Sequence, residues 1–248
     1  VTTERPIHLV LTTMALVALW QGLALVLGPT ILPGPAVVFA RAGEELATLR
    51  FWEHVWASTR RLAISLTASF LTGVPVGLLV GTSRRLDRFF SPIIFMSYPI
   101  PKIVFLPVIL VLFGLGDLSK VVLISLITFF QLLITCRDSA RQISREAVYS
   151  LRSLGGSRWH LFRHVIWPVS LPGIFTALRI GSGTGVAVLF FAESIATTRG
   201  LGLYIIDLWG RADYPGMYVG IMALSALGMV LYEVFELLER FYCPWRRA

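Results

Sequence analysis

The chain has 248 residues, 56% of them hydrophobic and only 15% charged, and its mean hydropathy of +0.75 lies well outside the range of a soluble globular domain. Its net charge of +8 sits in short segments between apolar runs rather than along one polar face, which argues against nucleic acid as a partner. The apolar runs reach the ~20 residues that a helix needs to cross the ~30 Å hydrocarbon core, so the sequence predicts an all-α, multispanning membrane protein with one transmembrane domain over residues 1–248.

In chain order, a first span is expected over residues 8–28. No small-residue cleavage site follows a shorter apolar core, so this span reads as a retained helix. Pro29, Pro33, Gly34 and Pro35 break it. Residues 36–56 then mix Glu44, Glu45, Arg50 and Glu53 with Val38, Phe39, Leu46, Leu49, Phe51 and Trp52, a mixture that suits an interfacial helix with an aromatic anchor. A second span is expected over 57–81, where Gly73, Gly77 and Gly81 recur at four-residue spacing; small residues so placed let two helices approach closely in lipid.

A basic turn over 82–90 leads to a third span, 91–116, interrupted by Pro92, Pro99, Pro101 and Pro107. Prolines free backbone carbonyls, which are tolerated at membrane depth only where protein or a water-filled path covers them, so this span is expected to line something. A fourth span follows at about 120–140, a fifth at 168–193 with Gly181, Gly183 and Gly185, and a sixth at 217–240 before a basic tail. Between the last two, residues 194–216 carry RGLGLYIIDLWGRADYPG, which reads as a partly inserted or interfacial outer helix.

The segment from 141 to 167 is too polar to span a bilayer. Val148, Leu151 and Leu154 form one apolar stripe, and Trp159, Phe162, Val165 and Ile166 form another, so each half is expected to be a short helix. Gly155 and Gly156 end the first, and Ser157 caps the second. Arg145, Arg152, Arg158 and Arg163 rim the stripes with positive charge. Two short helices held between membrane spans, greasy with an arginine rim, predict a docking surface for a protein partner.

Charge bias sets the expected orientation. Arg5, Arg84, Arg85, Arg88, Arg137, Arg141, the four loop arginines, Arg240, Arg246 and Arg247 all fall on one side, against Arg41, Arg50, Lys120, Arg199 and Arg211 opposite, with Arg60 and Arg61 at a boundary. The positive-inside rule then makes both termini and the loop cytoplasmic. Cys136 and Cys243 lie at cytoplasmic helix ends and read as free thiols. The sequence has no glycine-rich loop ending in Gly-Lys-Ser/Thr, no His-Glu-x-x-His and no Gly-x-Ser-x-Gly, and its four histidines are scattered. Neither covalent catalysis nor a metal site is expected in this chain.

At the loop, SLRSLGGSRWHLFRHVIWPVSLPGI resembles the cytoplasmic loop of bacterial ABC importer permeases, in which Glu-Ala-Ala, three residues and Gly precede an apolar residue and a Pro. Gly155, Val165 and Pro168 take those last places, and Ser157, Arg158 and Trp159 match the usual Ser-Arg-Trp. LPGP from Leu32, YPIPK from Tyr98, FGLGDLSK from Phe113, ALR from Ala177, AES from Ala192 and LLERFYCPW from Leu237 are similar to the nitrate, sulfonate and taurine branch, so the resemblance covers nearly the full length. Two departures stand out. The acidic triplet aligns with Tyr149, Ser150 and Leu151, with Glu146 one helical turn earlier on the same face, and Trp167 replaces the leucine before Pro168.

The resemblance implies a type I ABC importer permease fold of about six transmembrane helices in the bacterial inner membrane. It also implies that the chain itself is not an enzyme and that ATP and Mg belong to two separate ATP-binding subunits. A second permease copy, an external binding protein that delivers a small solute, and membrane lipid would be the other partners. Glu146, Tyr149, Ser150, Leu151, Leu154, Gly155, Ser157, Arg158, Trp159, Phe162 and Pro168 would then meet the ATPase. An ion-coupled secondary transporter or channel would also need broken spans, but it would work without an ATPase and usually shows inverted repeats. A lipid-binding subunit would use the arginines and could dispense with Leu151, Leu154 and Phe162.

For the solute, Pro99, Pro101, Lys102, Arg179 and Glu193 are the candidate path residues. Lys102 and Arg179 each lie eleven positions in from the cytoplasmic start of their spans, about 16 Å deep. No acidic residue is expected at matching depth, since Glu193 and Asp117 lie near outer ends and Glu233 and Glu236 near the inner end. A charge at that depth costs at least ~2.5 kcal/mol unless it has a partner or water. One reading is a pair of cations that attracts a small anion. The other is that Lys102 bonds the carbonyls freed by Pro99 and Pro101 while Arg179 caps a neighbouring helix.

Overall fold

Thr48 starts a helix of 34 residues. Its hydroxyl accepts the Phe51 N–H at 3.3 Å, which caps a helix that runs unbroken from Leu49 to Thr82. This is seen in a computed structural model that describes residues 5–97, 99–195 and 197–247, with backbone alone for 5–7, 9 and 246–247. Tyr98 of the YPIPK stretch and the side chains of Arg5, Arg246 and Arg247 lie outside the described residues.

The helices in order are α1 (Arg5–Leu27), α2 (Pro35–Leu46), α3 (Leu49–Thr82), α4 (Arg84–Ser97), a 3₁₀ turn (Lys102–Phe105), α5 (Leu106–Phe113), α6 (Asp117–Arg141), α7 (Arg145–Ser153), α8 (Arg158–Leu161), a π turn (Phe162–Ile166), α9 (Trp167–Ser194), α10 (Leu201–Gly210) and α11 (Tyr214–Tyr242). Five helical runs are long and apolar enough to cross a membrane, and α4 with α5 makes a sixth that is bent by 80° at its break. The expected six-span, all-α architecture is therefore present, with the broken third span where the prolines put it.

Several boundaries differ from the sequence reading. The interfacial helix expected over 36–56 stops at Leu46, because Thr48 opens a new helix and residues 49–56 become the first turns of α3. The basic turn expected over 82–90 shrinks to Ser83, and its arginines sit on the first turns of α4. Of the segment 194–216, expected to be a partly inserted or interfacial outer helix, α10 buries one face while Trp209, Gly210 and Arg211 at its end stay exposed. Leu201, Tyr204 and Ile205 of α10 are buried in one core with Leu62, Ile124, Leu189 and Val219.

The second half of the docking segment is not a separate helix either. Residues 158–194 form one continuous helical run. Pro168 has no N–H to offer the helix ladder, and the wider π spacing, with the Trp167 N–H on the Phe162 carbonyl, carries the chain past it.

The core is organised on α3 and α6. A Cβ on Gly77 would lie 2.6 Å from the Leu133 carbonyl oxygen and 2.8 Å from Cys136 Cβ, so the glycine spacing on α3 serves backbone approach. Hydroxyls stitch the same pair: Ser69 Oγ bonds Thr128 Oγ1 at 2.5 Å and the Ser125 carbonyl at 3.0 Å. Such polar side chains hold helices together where lipid supplies no hydrophobic drive.

Candidate functional site

The docking segment is built by its caps. Ser144 Oγ accepts the Ala147 N–H at 3.2 Å to start α7, and Glu146 in the first turn complements the positive end of the helix dipole. α7 ends where Gly155, at φ 76°, turns left-handed, with the Gly156 N–H closing back on the Leu151 carbonyl at 3.0 Å. Ser157 and His160 then cap α8 reciprocally, the Ser157 N–H donating to His160 Nδ1 at 3.3 Å.

No residue of α7 is buried. Leu154 is 85% exposed, Trp159 63% and Tyr149 60%, while Leu151 and Phe162 are half-buried. Trp159 stacks on Phe162 with centroids 5.7 Å apart, and Phe162 leans on Trp167, so the outer aromatic is braced from beneath. Arg145, Arg152, Arg158 and Arg163 are exposed around it, as are Glu146 and Ser150, and Pro168 is half-buried. An apolar tip held rigidly by its own caps and left uncovered by its own bundle is a surface that can dock.

The candidate path residues are not gathered in one place. Lys102 Nζ donates to the Ser97 carbonyl at 2.9 Å and lies 4.7 Å from the centre of the Phe130 ring. Pro101 has no N–H to give the Ser97 carbonyl at four-residue spacing, and that carbonyl accepts instead from the Ile100 N–H at 3.4 Å and from the lysine. Lys102 also lines a cavity of about 340 Å³ between the 3₁₀ turn, α6 and α9, and neither Arg179 nor Glu193 reaches it.

Arg179 corrects an expectation. It does have a carboxylate at its own depth, Glu239 of α11, at 2.8 Å, and Tyr232 stands 5.6 Å from its guanidinium. Counting positions along separate helices missed the pair because long side chains of both signs extend along the helix axis toward each other. Arg179→Met is expected to lower thermal stability by roughly 3 kcal/mol, since it removes the cation paired with a buried carboxylate, and Arg179→Met with Glu239→Leu should recover most of that loss. Thermal unfolding of the purified protein reads both; equal loss in the single and double variants would deny the pairing.

Glu193 is likewise committed within the bundle. It is fully buried, its Oε1 accepts from Arg61 Nη1 at 2.6 Å, and its Oε2 accepts from Ser58 Oγ at 2.7 Å and from the Gly202 N–H at 3.0 Å. Arg61 also donates to Asp117 through Nε at 2.8 Å and to the Arg199 carbonyl at 2.6 Å. The sequence placed Arg61 at a membrane boundary; the structure leaves it only 4% exposed. This cluster, which ties α3, α6 and α9 to the entry of α10, had no sequence signal beyond three charges, Arg61, Asp117 and Glu193, at the ends of apolar runs.

Comparison with known proteins agrees with this architecture. Residues 73–242, more than half of the chain, match the family described as the binding-protein-dependent transport system inner membrane component. The taurine transport system permease protein of Escherichia coli K12 is 32% identical, with 98% of this chain and 91% of that protein covered. The riboflavin transport system permease protein of Chloroflexus aurantiacus is 32% identical over 96% of this chain and 89% of its own length. Among solved structures, the inward-facing MetNI methionine ABC transporter shares the fold at a TM-score of 0.65 and 19% identity, covering 76% of this chain and 94% of that one. The chain belongs to the binding-protein-dependent inner membrane component family and is a multi-pass, non-enzymatic permease subunit of an ABC importer of the inner membrane, working with ATP-binding subunits and a solute-binding protein.

Proposed function

We propose that α7 and the start of α8 are the coupling element of this permease, with Leu154 and Trp159 inserted into a groove on an ATP-binding subunit and the arginines meeting its rim. The observation that carries this reading is the exposure of Leu154 and Trp159 on a capped helix pair that its own bundle does not cover. Both termini and this loop are cytoplasmic. Two identical permease copies form the path between them, and their apolar outer faces on α1 and α11 meet lipid. ATP and Mg are held by two ATP-binding subunits and by no site in this chain. Closure of those subunits draws the two α7 helices together and switches access from the outer to the inner side.

The relatives are named for taurine and for riboflavin, which differ widely in size and charge, so the solute has to be read from this chain's own cavity. With Arg179 neutralised by Glu239, Lys102 is the cation that remains on the path, and among the described residues it makes no ion pair. A small anion is the solute that such a site favours.

Affinity purification of the tagged chain in mild detergent, with mass spectrometry and an ATPase assay, tests the coupling reading. Recovery of a stoichiometric ATP-hydrolysing partner is expected. Recovery of the chain alone, still moving solute in ATP-free vesicles under an ion gradient, would overturn it in favour of a secondary transporter.

A further inference from the structure

Apolar packing does little to hold α4 to the bundle. Among its described residues only Ile94 is buried, in a small cluster with Val80 of α3 and Leu133 of α6, while Phe89, Ile93, Phe95 and Met96 stay exposed. The stronger attachment is polar. Arg137 of α6, only 5% exposed, donates through Nε to Asp87 Oδ1 at 2.6 Å and through Nη2 to Ser91 Oγ at 2.7 Å. The Ser91 hydroxyl donates to Asp87 Oδ1 at 3.1 Å, and Arg141 Nη1 donates to Asp87 Oδ2 at 3.1 Å. The Phe95 ring centre lies 6.0 Å from the Arg137 guanidinium. Asp87, Ser91 and Phe95 are four residues apart, so one stripe of α4 lies across α6 at a single arginine. No other residue of α4 makes an ion pair among the described residues.

What Asp87 holds is the end of the helix that feeds the docking segment. Arg141 is the last residue of α6, and only Gln142, Ile143 and Ser144 separate it from α7. At this level α6 and α3 are locked together: a Cβ on Gly81 would collide with the Arg137 carbonyl oxygen and lie 2.8 Å from Ala140 Cβ. A displacement of α7 therefore carries the ends of α6 and α3 as one body, and α4 follows as far as Asp87 binds it. The other end of α4 leads to the cavity. Ser97, its last residue, accepts from Lys102 Nζ at 2.9 Å, and Ile100 and Lys102 line that cavity. One contiguous set of contacts thus runs from α7 through Arg141, Arg137 and Asp87 into α4 and on to Lys102.

We propose that Asp87 is the positioning residue that links the docking segment to the broken span: its carboxylate, held by Arg137 and Arg141, passes the displacement of α7 to α4 and so to the turn that carries Lys102. The proposal rests on the coupling reading of α7 and adds where the motion goes. An apolar contact between two helices can slide. A carboxylate bonded by two guanidinium groups cannot shift without breaking charge-assisted hydrogen bonds, which are roughly twice as strong as neutral ones. With this joint loosened, the ATP-binding subunits stay docked and go on hydrolysing ATP while the cavity stops responding to them.

The test uses the assembled permease–ATPase complex in nanodiscs, with Ile100→Cys as the reporter. Ile100 is 46% exposed at the cavity, its substitution keeps the carbonyl that Lys102 bonds, and the native Cys136 and Cys243 are buried. The rate of labelling by a small maleimide is compared without nucleotide and with a non-hydrolysable ATP analogue. In the otherwise unaltered complex the analogue should change that rate by about fivefold or more. Asp87→Ala should bring the change to within about twofold, and Asp87→Glu, which keeps a carboxylate in reach, should retain most of it. Arg141→Gln alters an exposed side chain and spares the Arg137 contact; it should lower the response at least about twofold, and it decides the matter if Asp87→Ala does not assemble. ATP hydrolysis by the variants should stay within about twofold of the unaltered complex, which separates a lost joint from a lost fold. A full response in Asp87→Ala or in Arg141→Gln, no response in the unaltered complex, or a loss of hydrolysis in step with the loss of response would overturn the role of Asp87. Leu154→Cys keeps the two claims apart. If the ATP-binding subunit shields Leu154→Cys while Ile100→Cys ignores the Asp87 changes, docking stands and the joint fails; if it leaves Leu154→Cys unshielded, the coupling reading itself fails.

Discussion

Leu154→Asp and Trp159→Asp are each expected to weaken association with the ATP-binding subunit by about 30-fold or more and to abolish solute-dependent ATP hydrolysis in the same proportion. Both side chains stand out from the bundle, at 85% and 63% exposure, so within the permease itself Trp159 gives up its stacking on Phe162 and neither change opens a cavity in the buried core. A buried anchor in a partner's groove carries a disproportionate share of binding energy, and a carboxylate there adds the cost of an unpaired buried charge. Rim changes should do far less: Arg152→Gln and Arg158→Gln are expected to slow association and alter its salt dependence by a few fold. Titration of the separate ATP-binding subunit onto permease in nanodiscs measures the affinities. The reverse order, with the arginines dominant and Leu154 replaceable, would mean that the loop binds anionic lipid instead.

Arg61→Met should be the most damaging change inside the bundle, lowering stability by ~3–5 kcal/mol. It removes the cation paired with a fully buried Glu193, and among the described residues it leaves Asp117 with Arg60 alone and the Arg199 carbonyl with the Thr197 hydroxyl alone. Glu193→Gln should cost less, because one oxygen can still accept from Ser58 and the Gly202 N–H, but its amide hydrogens then face the Arg61 guanidinium donor to donor. Arg61→Met combined with Glu193→Leu is expected to regain part of the loss. Thermal unfolding in nanodiscs reads the series, and an Arg61→Met protein that melts with the unaltered one would show that the cluster contributes nothing.

The sequence made the spans legible for a simple reason. Runs such as residues 120–140 and 217–240 are apolar over a bilayer's thickness, and the structure places α6 and α11 over them with ends shifted by only a few residues. The glycines of α3 and the cap-and-glycine punctuation of the docking segment are local signals, and local signals survive into the fold. What was hidden depended on partners far away in the chain. Arg61 and Glu193 are 132 positions apart, and each looked like a charge at the end of a span until α3 and α9 were laid side by side. Arg179 looked unpaired for the same reason. The continuity of residues 158–194 was hidden by Pro168, which reads as the start of a span; only the π turn before it lets the helix pass through.

Accessibility at the tip of α7 tests the central claim most directly. Both native cysteines, Cys136 and Cys243, are buried, so a single Leu154→Cys substitution adds one reactive thiol against a quiet background. In sided membrane vesicles, a membrane-impermeant maleimide should label that thiol only from the cytoplasmic face, and adding the ATP-binding subunit should slow labelling about tenfold or more. Labelling from the outer face would contradict the orientation assigned to this helix, and labelling at the same rate with and without the ATP-binding subunit would contradict its docking role.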